Sequence, residues 1–446
     1  VWTPKGPAVL RGVSTDTRDL KPADLYVALH GARFDGHDFI PQALAAGASA
    51  AVASRAYAEA NPGVGPLLCV DDTLRALGAI ARGHRATLRA QIVAVTGSVG
   101  KTTVKEMIAD VLATRAPTAR THGNWNNDIG LPLSLLRMEP EHAFGVFELG
   151  MNHPGELAPL CRIAMPVRGV VTNVGPVHME FFKDVEGVAR EKAAVVRALP
   201  SGGVAVLSRD DEWFEFLRAA APCRVITTSL GGEADYEARP AANGSGRLAV
   251  NERASGEWAE FEMPLPGSYI ARDALFAIAV GRSYGVPWHD LAKAIKAYAP
   301  LPMRWNRGSV RGVEVVNDAY NANPMSMRAA LATFAQMKVV GGKWLVLGGM
   351  LELGATEDQE HIALGREIAK GEWRGLVVVG RLGARLADGA EEGGFARERI
   401  ARCADHAAAA AALKAGVAAG DAILFKASRG ERMEKVLEEW SGGVKE

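Results

Sequence analysis

TGSVGKTTVKEM, residues 96–107, decides the fold class of this chain. It follows the apolar run QIVAV (91–95) and opens a stretch of helical composition. A strand, a Gly-containing turn and a helix start make a phosphate cradle. The turn's N–H groups and the positive helix end face the anion, and Lys101 adds a full charge. Thr102 sits where such loops offer a hydroxyl to Mg²⁺. The strict P-loop pattern asks for Gly at position 95, where this chain has Val95. What remains, GxxGKTT, still points to a nucleoside triphosphate site built from Gly97, Ser98, Val99, Gly100, Lys101, Thr102 and Thr103. A chance Gly-rich turn is the plain alternative.

On both sides of this motif, apolar strands alternate with helical stretches. FGVFEL (144–149), RGVVTNV (168–174) and GVAVLS (203–208) continue the pattern of QIVAV and predict a parallel, doubly wound sheet. Upstream, LYVAL (25–29) and AAVA (50–53) read as strands flanking a helix over 39–48 that ends at Gly47. Downstream, VEVVND (313–318), KWLVLGG (343–349), GLVVVG (375–380) and AILFKAS (422–428) alternate with helices, including the Ala-rich 405–416. The expected architecture is α/β in three domains: a small N-terminal domain over 1–89, a central P-loop domain with a parallel sheet over 90–303, and a Rossmann-like C-terminal domain over 304–446. The polar, Gly-rich stretch 231–250 reads as loop or a small hairpin excursion.

Bulk properties exclude several classes. A chain of 446 residues is too long for one core. Lys plus Arg and Asp plus Glu both number 51, so no global field attracts nucleic acid or an anionic membrane. Cys69, Cys161, Cys223 and Cys403 lie far apart and read as reduced thiols of a cytoplasmic protein, not as a zinc site or disulfide frame. No stretch approaches the about 18 apolar residues of a membrane span. The opening VWTPKGPAVLRG has neither a signal-peptide core nor an initiator Met.

Several residues invite chemistry. Glu148 ends an apolar strand, and strand C-termini line the ligand crevice of such sheets. A carboxylate there can hold Mg²⁺, or it is simply a surface group. His178 lies just past the next strand, and a lone His is more often structural. Lys192, on a helix, reads in isolation as a solvated face. Asn124, Asn126 and Asn127 fit a turn as well as a polar binding surface.

Taken together and in order, GxxGKTT, NxNNxxG, ExG, NVGxxHxE, a downstream Lys and YNANPxSM (320–327) resemble the Mur ligases of peptidoglycan precursor synthesis. The resemblance covers nearly the whole chain and is nearest to the branch that ligates D-alanyl-D-alanine to UDP-N-acetylmuramoyl-tripeptide. STDTR (14–18) and GARFDGHDFI (31–40) look like its UDP-binding segment, and LGGMLELG (347–354) with His361 and FKASRGERME (425–434) like its C-terminal signatures. The resemblance implies ATP and two Mg²⁺ ions as cofactors. Lys101 would hold ATP phosphates, Thr102 and Glu148 one Mg²⁺, and His178 the second. Lys192 matches the family's carbamoylated lysine, which helps position that second ion. Arg304 and Asp318 match ATP contacts at the interdomain seam. Ser14, Thr15, Asp16 and Arg18, with Asn124, Asn126 and Asn127, would bind the UDP substrate. Tyr320, Asn321, Asn323, Ser428 and Arg429 would border the acceptor.

The family's GxHNxxNA, whose second Asn helps recognise adenine, is GSYIARDA here (267–274). Tyr269, Ile270 and Asp273 replace His, Asn and Asn, Met303 replaces the Gly before Arg304, Gly349 an Asp, and Ala427 a Gly. These departures bear on adenine selectivity and ATP affinity. The implied protein is a cytoplasmic monomeric ligase that works through an acyl phosphate and closes its third domain over two large substrates. The alternatives are a sister ligase of another step, a folylpolyglutamate synthase, a P-loop kinase or translocating ATPase, and a non-catalytic nucleotide-binding relative.

Overall fold

A computed structural model describes residues 10–31, 34–240 and 246–442. Residues 32–33 of the GARFDGHDFI motif and 241–245 of the Gly-rich stretch lie outside the described residues. Three sheets follow one another along the chain. The first has strands Gly12–Ser14, Asp24–Val27, Ala50–Ser54 and Leu67–Val70, in that order and all parallel. Its successive residues face opposite ways. Tyr26 and Ala51 pack with Ile40 of helix Ile40–Ala45, while Leu25 and Val52 pack with Leu77 of helix Thr73–Thr87.

The central sheet has nine strands. From one edge they run Glu257–Glu262, Arg247–Glu252, Tyr236–Pro240, Arg224–Leu230, Val204–Ser208, Arg168–Val171, Gln91–Thr96, Phe144–Glu148 and Thr118–Arg120. The strands from Tyr236–Pro240 to Thr118–Arg120 are parallel. Val93 and Val95 enter the core beneath helices Lys101–Ala113 and Ser268–Ser283, while Ile92 and Ala94 enter the opposite core beneath Leu157–Ala164 and Val185–Arg197. Burial on both faces is why QIVAV carries no polar alternation.

The stretch 231–250 does form a hairpin, but not an excursion. Tyr236–Pro240 pairs parallel with Arg224–Leu230 and antiparallel with Arg247–Glu252, and Glu257–Glu262 extends the edge. Ala238, Leu248, Val250 and Phe261 alternate into the same core as the P-loop helix. Gly and charged residues outnumber these four and hide their period-two pattern.

The third sheet runs Asn306–Val310, Val313–Asn317, Ala422–Lys426, Lys343–Leu347, Gly375–Val379 and Ile400–Cys403. Only its first pair is antiparallel. The Ala-rich helix His406–Gly416 starts at Asp405, whose carboxylate accepts the Ala408 N–H at 2.8 Å.

Two seams join the units. The buried guanidinium of Arg85 donates to the carbonyls of Ala164 (3.1 Å), Leu88 (3.0 Å) and Ala90 (3.0 Å), tying helix Thr73–Thr87 to the central unit. On the other side, a Cβ on Gly175 would stand 1.9 Å from Met325 Sδ, so the YNANPMSM segment lies directly on the loop after strand Arg168–Val171. No helix among the described residues is long and apolar enough to cross a membrane.

The P-loop helix is pinned from behind. Lys105, fully buried, donates to Glu106 and, at 3.1 Å, to the Thr121 carbonyl. Glu106 also accepts from Arg120 at 2.7 Å, and Lys105 and Arg120 hold its carboxyl below the usual range against the pull of burial. Lys105→Met is expected to cost about 3 kcal/mol, the low end for a broken buried pair because Arg120 still serves Glu106. A urea midpoint equal to that of the parent would contradict this.

Candidate active site

One cleft of about 890 Å³ runs between the three units. Its floor is the phosphate loop. Gly97 has φ +154°, and a Cβ there would stand 1.8 Å from Thr172 Oγ1. Gly100, at φ +84°, starts helix Lys101–Ala113 with no side-chain cap, so the first-turn N–H groups stay free for a ligand. The loop is clamped by TNVG (172–175). The Asn173 side chain accepts the Val99 N–H (2.9 Å) and donates to the Val99 carbonyl (2.9 Å). Ser98 Oγ exchanges hydrogen bonds with both backbone groups of Gly175. Thr172 and Asn173 were not among the expected site residues. Their position directly after a parallel strand was the available signal.

Thr102 and Glu148 come together in the cleft. Thr102 Oγ1 donates to Glu148 Oε2 at 2.7 Å, and Asn126 Nδ2 donates to Oε1 at 2.7 Å. The Thr121 hydroxyl accepts the Glu148 N–H at 2.8 Å, which links this carboxylate to the Lys105 anchor. Lys101 Nζ donates to the Gly97 carbonyl at 2.8 Å. Burial and Arg304 push its ammonium down, and Glu148 draws it up.

Lys192 departs from the solvated-face reading. It is 1% exposed, with Ala189, Ala193, Val195 and Val196 of its own helix buried around it. Among the described residues its ammonium pairs with no carboxylate within salt-bridge distance. Burial first, then Lys101, drives its pKa well below the ordinary lysine value, while Glu191 and Asp211 resist. It lies behind the cleft wall rather than in it. His178 does line the cleft, and its Nδ1 meets Glu352 Oε2 of the C-terminal unit at 2.5 Å. Among the described residues no three His, Cys, Asp or Glu side chains gather to hold a metal by themselves.

The C-terminal wall is built around Arg304, whose guanidinium stacks on Tyr320 at 4.0 Å. Asp318 accepts the Trp305 N–H (3.1 Å) and Lys426 Nζ (2.7 Å), and Lys426 also reaches the Asn321 carbonyl at 3.0 Å. Met303 adopts φ +59°, the conformation for which a Gly there is suited. Tyr269 and Trp305 meet edge to face at 6.0 Å, and Tyr269 Oη and Trp305 Nε1 are buried in the cleft wall with no hydrogen-bond partner among the described residues. Two aromatic rings with unspent polar atoms suit a planar, hydrogen-bonding base.

Other expected residues have structural engagements or lie outside the cleft wall. Asn323 lines the cleft, but its side chain caps helix Pro324–Gln336 by accepting the Ser326 N–H at 2.8 Å. Ser428 is buried outside the wall, donating to the Ala322 carbonyl, and Arg429 pairs with Glu434. Ser14, Thr15, Asp16 and Arg18 form a turn away from the cleft wall. Arg18 holds the Asp16 carboxyl down at about 2. The N-terminal wall comes instead from Leu74, Arg75, Gly78, Ala79 and Arg82 of helix Thr73–Thr87. His361 is a structural residue: fully buried, it accepts the Met350 N–H at 2.9 Å and contacts the Glu357 carbonyl.

Asp273 sits against the loop, with Oδ1 2.6 Å from where a Gly100 Cβ would be. Burial drives its carboxyl well above the aspartate value of 3.8, against Arg272 and Arg304. The folded chain therefore keeps a proton that the unfolded chain releases, and stability falls as pH rises from 3.8 through the raised folded value. Asp273→Asn is expected to raise the melting temperature by a few degrees near pH 8 and by less near pH 5. Equal shifts at both pH values, in a thermal scan, would reject the assignment.

Models of the Mur ligase family match in three places: the family's catalytic-domain model at residues 9–85, the middle domain at 95–281, and the glutamate ligase domain at 303–429. The UDP-N-acetylmuramoyl-tripeptide–D-alanyl-D-alanine ligase of Bacillus subtilis is 36% identical over 97% of this chain and 93% of its own length. The chain belongs to the Mur ligase family. The ligase of the same name from Escherichia coli is 36% identical over 81% of this chain and 79% of its own. Among solved Mur ligases, MurF from Acinetobacter baumannii superposes with a TM-score of 0.86 at 29% identity, covering 96% of this chain and 93% of that one. MurF from Thermotoga maritima, in complex with ADP, gives 0.84 at 29% identity and 97% coverage of both. The three-domain α/β architecture expected from the sequence is the Mur ligase fold these structures share.

Proposed function

We propose that this chain is an ATP-dependent amide ligase that joins D-alanyl-D-alanine to UDP-N-acetylmuramoyl-tripeptide in peptidoglycan precursor synthesis. The observation that carries it is near full-length similarity to ligases of that name. The convergence of the phosphate loop, Glu148, His178 and Arg304 on one cleft supports it. A carboxylate is a poor electrophile, and ATP supplies the activation. The terminal carboxylate of the tripeptide attacks the γ-phosphorus, forming an acyl phosphate and expelling ADP. The amine of D-alanyl-D-alanine adds to the acyl carbon, loses its proton, and the tetrahedral adduct collapses to amide and inorganic phosphate.

The protein's part is positioning and charge neutralisation. Lys101 and the first turn of its helix hold the phosphates, Arg304 approaches them from the seam, and Asp273 and Asp318 border the nucleotide. The Thr102 hydroxyl and Glu148 carboxylate, 2.7 Å apart, are hard oxygen donors that fit Mg²⁺. His178 and a carbamoylated Lys192 would serve a second ion. Burial that disfavours the Lys192 ammonium fits that modification, because only the free amine adds CO₂. Magnesium bound there supplies charge neutralisation of the phosphates. Asn124, Asn126 and Asn127 face the donor peptide, and Tyr320, Asn321 and Asn323 the acceptor, with Ser428 and Arg429 supporting from behind. The turn Ser14–Arg18 takes the UDP end, outside the cleft. We assign these roles to units at 1–89, 90–303 and 304–446 of a cytoplasmic monomer.

Phosphate release, measured with ATP, Mg²⁺, UDP-muramoyl tripeptide and D-alanyl-D-alanine and with each omitted in turn, tests this. Release that needs both tripeptide and dipeptide is expected. Release with a different amine would move the assignment to a sister ligase, and nucleotide binding without release would favour a non-catalytic relative.

A further inference from the structure

The contact between His178 and Glu352 crosses from the central unit to the C-terminal one, and both residues are in the left-handed region, at φ +54° and +64°. Non-glycine residues hold that conformation only where their surroundings impose it. Here the surroundings are two facing turns. The His178 carbonyl accepts the N–H groups of Phe181 (2.9 Å) and Phe182 (3.2 Å), closing the first turn. The Glu352 carbonyl accepts the Glu180 N–H at 3.3 Å, and a Cβ on Gly354 would stand 3.0 Å from Glu180 Cα. The second turn is therefore seated on the first.

With a carboxylate as acceptor at 2.5 Å, the imidazole donates from Nδ1. In the neutral ring its other nitrogen, Nε2, carries the lone pair, on a ring that lines the cleft. A carboxylate behind a histidine is the usual device for fixing the tautomer and orientation of a metal ligand. Glu352 itself is not in the cleft wall, and among the described residues its side chain hydrogen-bonds only to His178.

We infer that Glu352 is a positioning residue that presents His178 Nε2 to the second metal position, so that this position is complete only when the C-terminal unit is docked. The inference rests on the metal-binding reading of His178 above. It gives the closing unit a direct effect on the site: docking delivers the carboxylate as well as excluding water.

The test uses the full chain with a non-hydrolysable ATP analogue and Mn²⁺, whose free concentration is read by electron paramagnetic resonance. Glu352→Ala is expected to weaken the second Mn²⁺ by about 10–100-fold. Glu352→Gln, whose amide oxygen still accepts from Nδ1, should recover part of that loss. The Glu352 side chain is 44% exposed, so both variants should fold. His178→Ala should weaken the same ion, and the double variant should be no worse than His178→Ala alone, because Glu352 acts through that ring. Additive losses, or unchanged Mn²⁺ affinity in Glu352→Ala while His178→Ala weakens it, would overturn the inference and leave the metal role of His178 standing. Unchanged affinity in His178→Ala would remove both.

Discussion

Lys192→Ala is expected to abolish ligation, lowering kcat by on the order of 10²–10³-fold or more, and short carboxylic acids should restore part of it. The reason is the environment of the amine. It is 1% exposed on a helix whose other buried side chains are apolar, and Lys101 adds repulsion against the opposing pull of Glu191 and Asp211. An ammonium is expensive there, so burial shifts the balance toward the free amine, the form that can add CO₂ with loss of a proton. The resulting carbamate would be an anion in reach of the charge of Lys101. Acetate or formate entering the space left by Ala would replace that anion.

Lys192→Met keeps the volume but neither the charge nor the space, so it should be inactive and not rescued. The same burial gives a pH signature. The unfolded chain binds a proton at this lysine up to about its ordinary value of 10.5, whereas the folded chain has already lost it. Unmodified protein therefore gains stability as pH rises from the depressed folded value toward 10.5, and Lys192→Met should flatten that rise. Full activity of Lys192→Ala without added acid, in the phosphate-release assay, would take Lys192 out of the site.

What was legible in the sequence depended on how locally each feature is encoded. The phosphate loop is a contiguous strand, turn and helix start, and Glu148 is a strand terminus, so both could be placed from pattern alone. Lys192 could not. AREKAAV has the composition of an exposed helix, and only the packing of helix Val185–Arg197 against the central sheet buries the lysine. The resemblance to a family supplied what periodicity did not. Asn323 sits in a signature that implies a place by the ligation site, and it lines the cleft, but its side chain also caps helix Pro324–Gln336, a folding role that the signature does not announce. Signatures mix chemistry with folding. The N-terminal wall was missed for a different reason: Arg75 and Arg82 look like the solvated face of an ordinary amphipathic helix until Gly78 lets that helix lie 3.0 Å, measured from a notional Cβ, against Ile163. Such close approaches between distant segments leave only a glycine as trace.

Glu148 is the second residue on which turnover should depend most steeply. Its two oxygens are each engaged, by Thr102 and by Asn126, and its own N–H is fixed by Thr121. It is 2% exposed, so Glu148→Ala would strand the buried Thr102 hydroxyl, costing about 1–3 kcal/mol, and leave the half-buried Asn126 amide without its acceptor. A loss of turnover in that variant would therefore mix chemistry with destabilisation. Glu148→Gln separates them. The amide oxygen still accepts from Thr102 and the fold should hold, but the negative charge that suits Mg²⁺ is gone. Because metal-based charge stabilisation contributes several kcal/mol to such transition states, kcat should fall by about 10²–10⁴-fold. Affinity for the UDP-linked substrate, measured by calorimetry without nucleotide, should stay unchanged, since on the proposed reading its UDP end is taken by the turn Ser14–Arg18 of the N-terminal unit. A Gln variant with parental kcat would reject the metal role. One that lost UDP-substrate affinity in proportion to kcat would instead make Glu148 part of the donor pocket, with Asn126 as the link between the two.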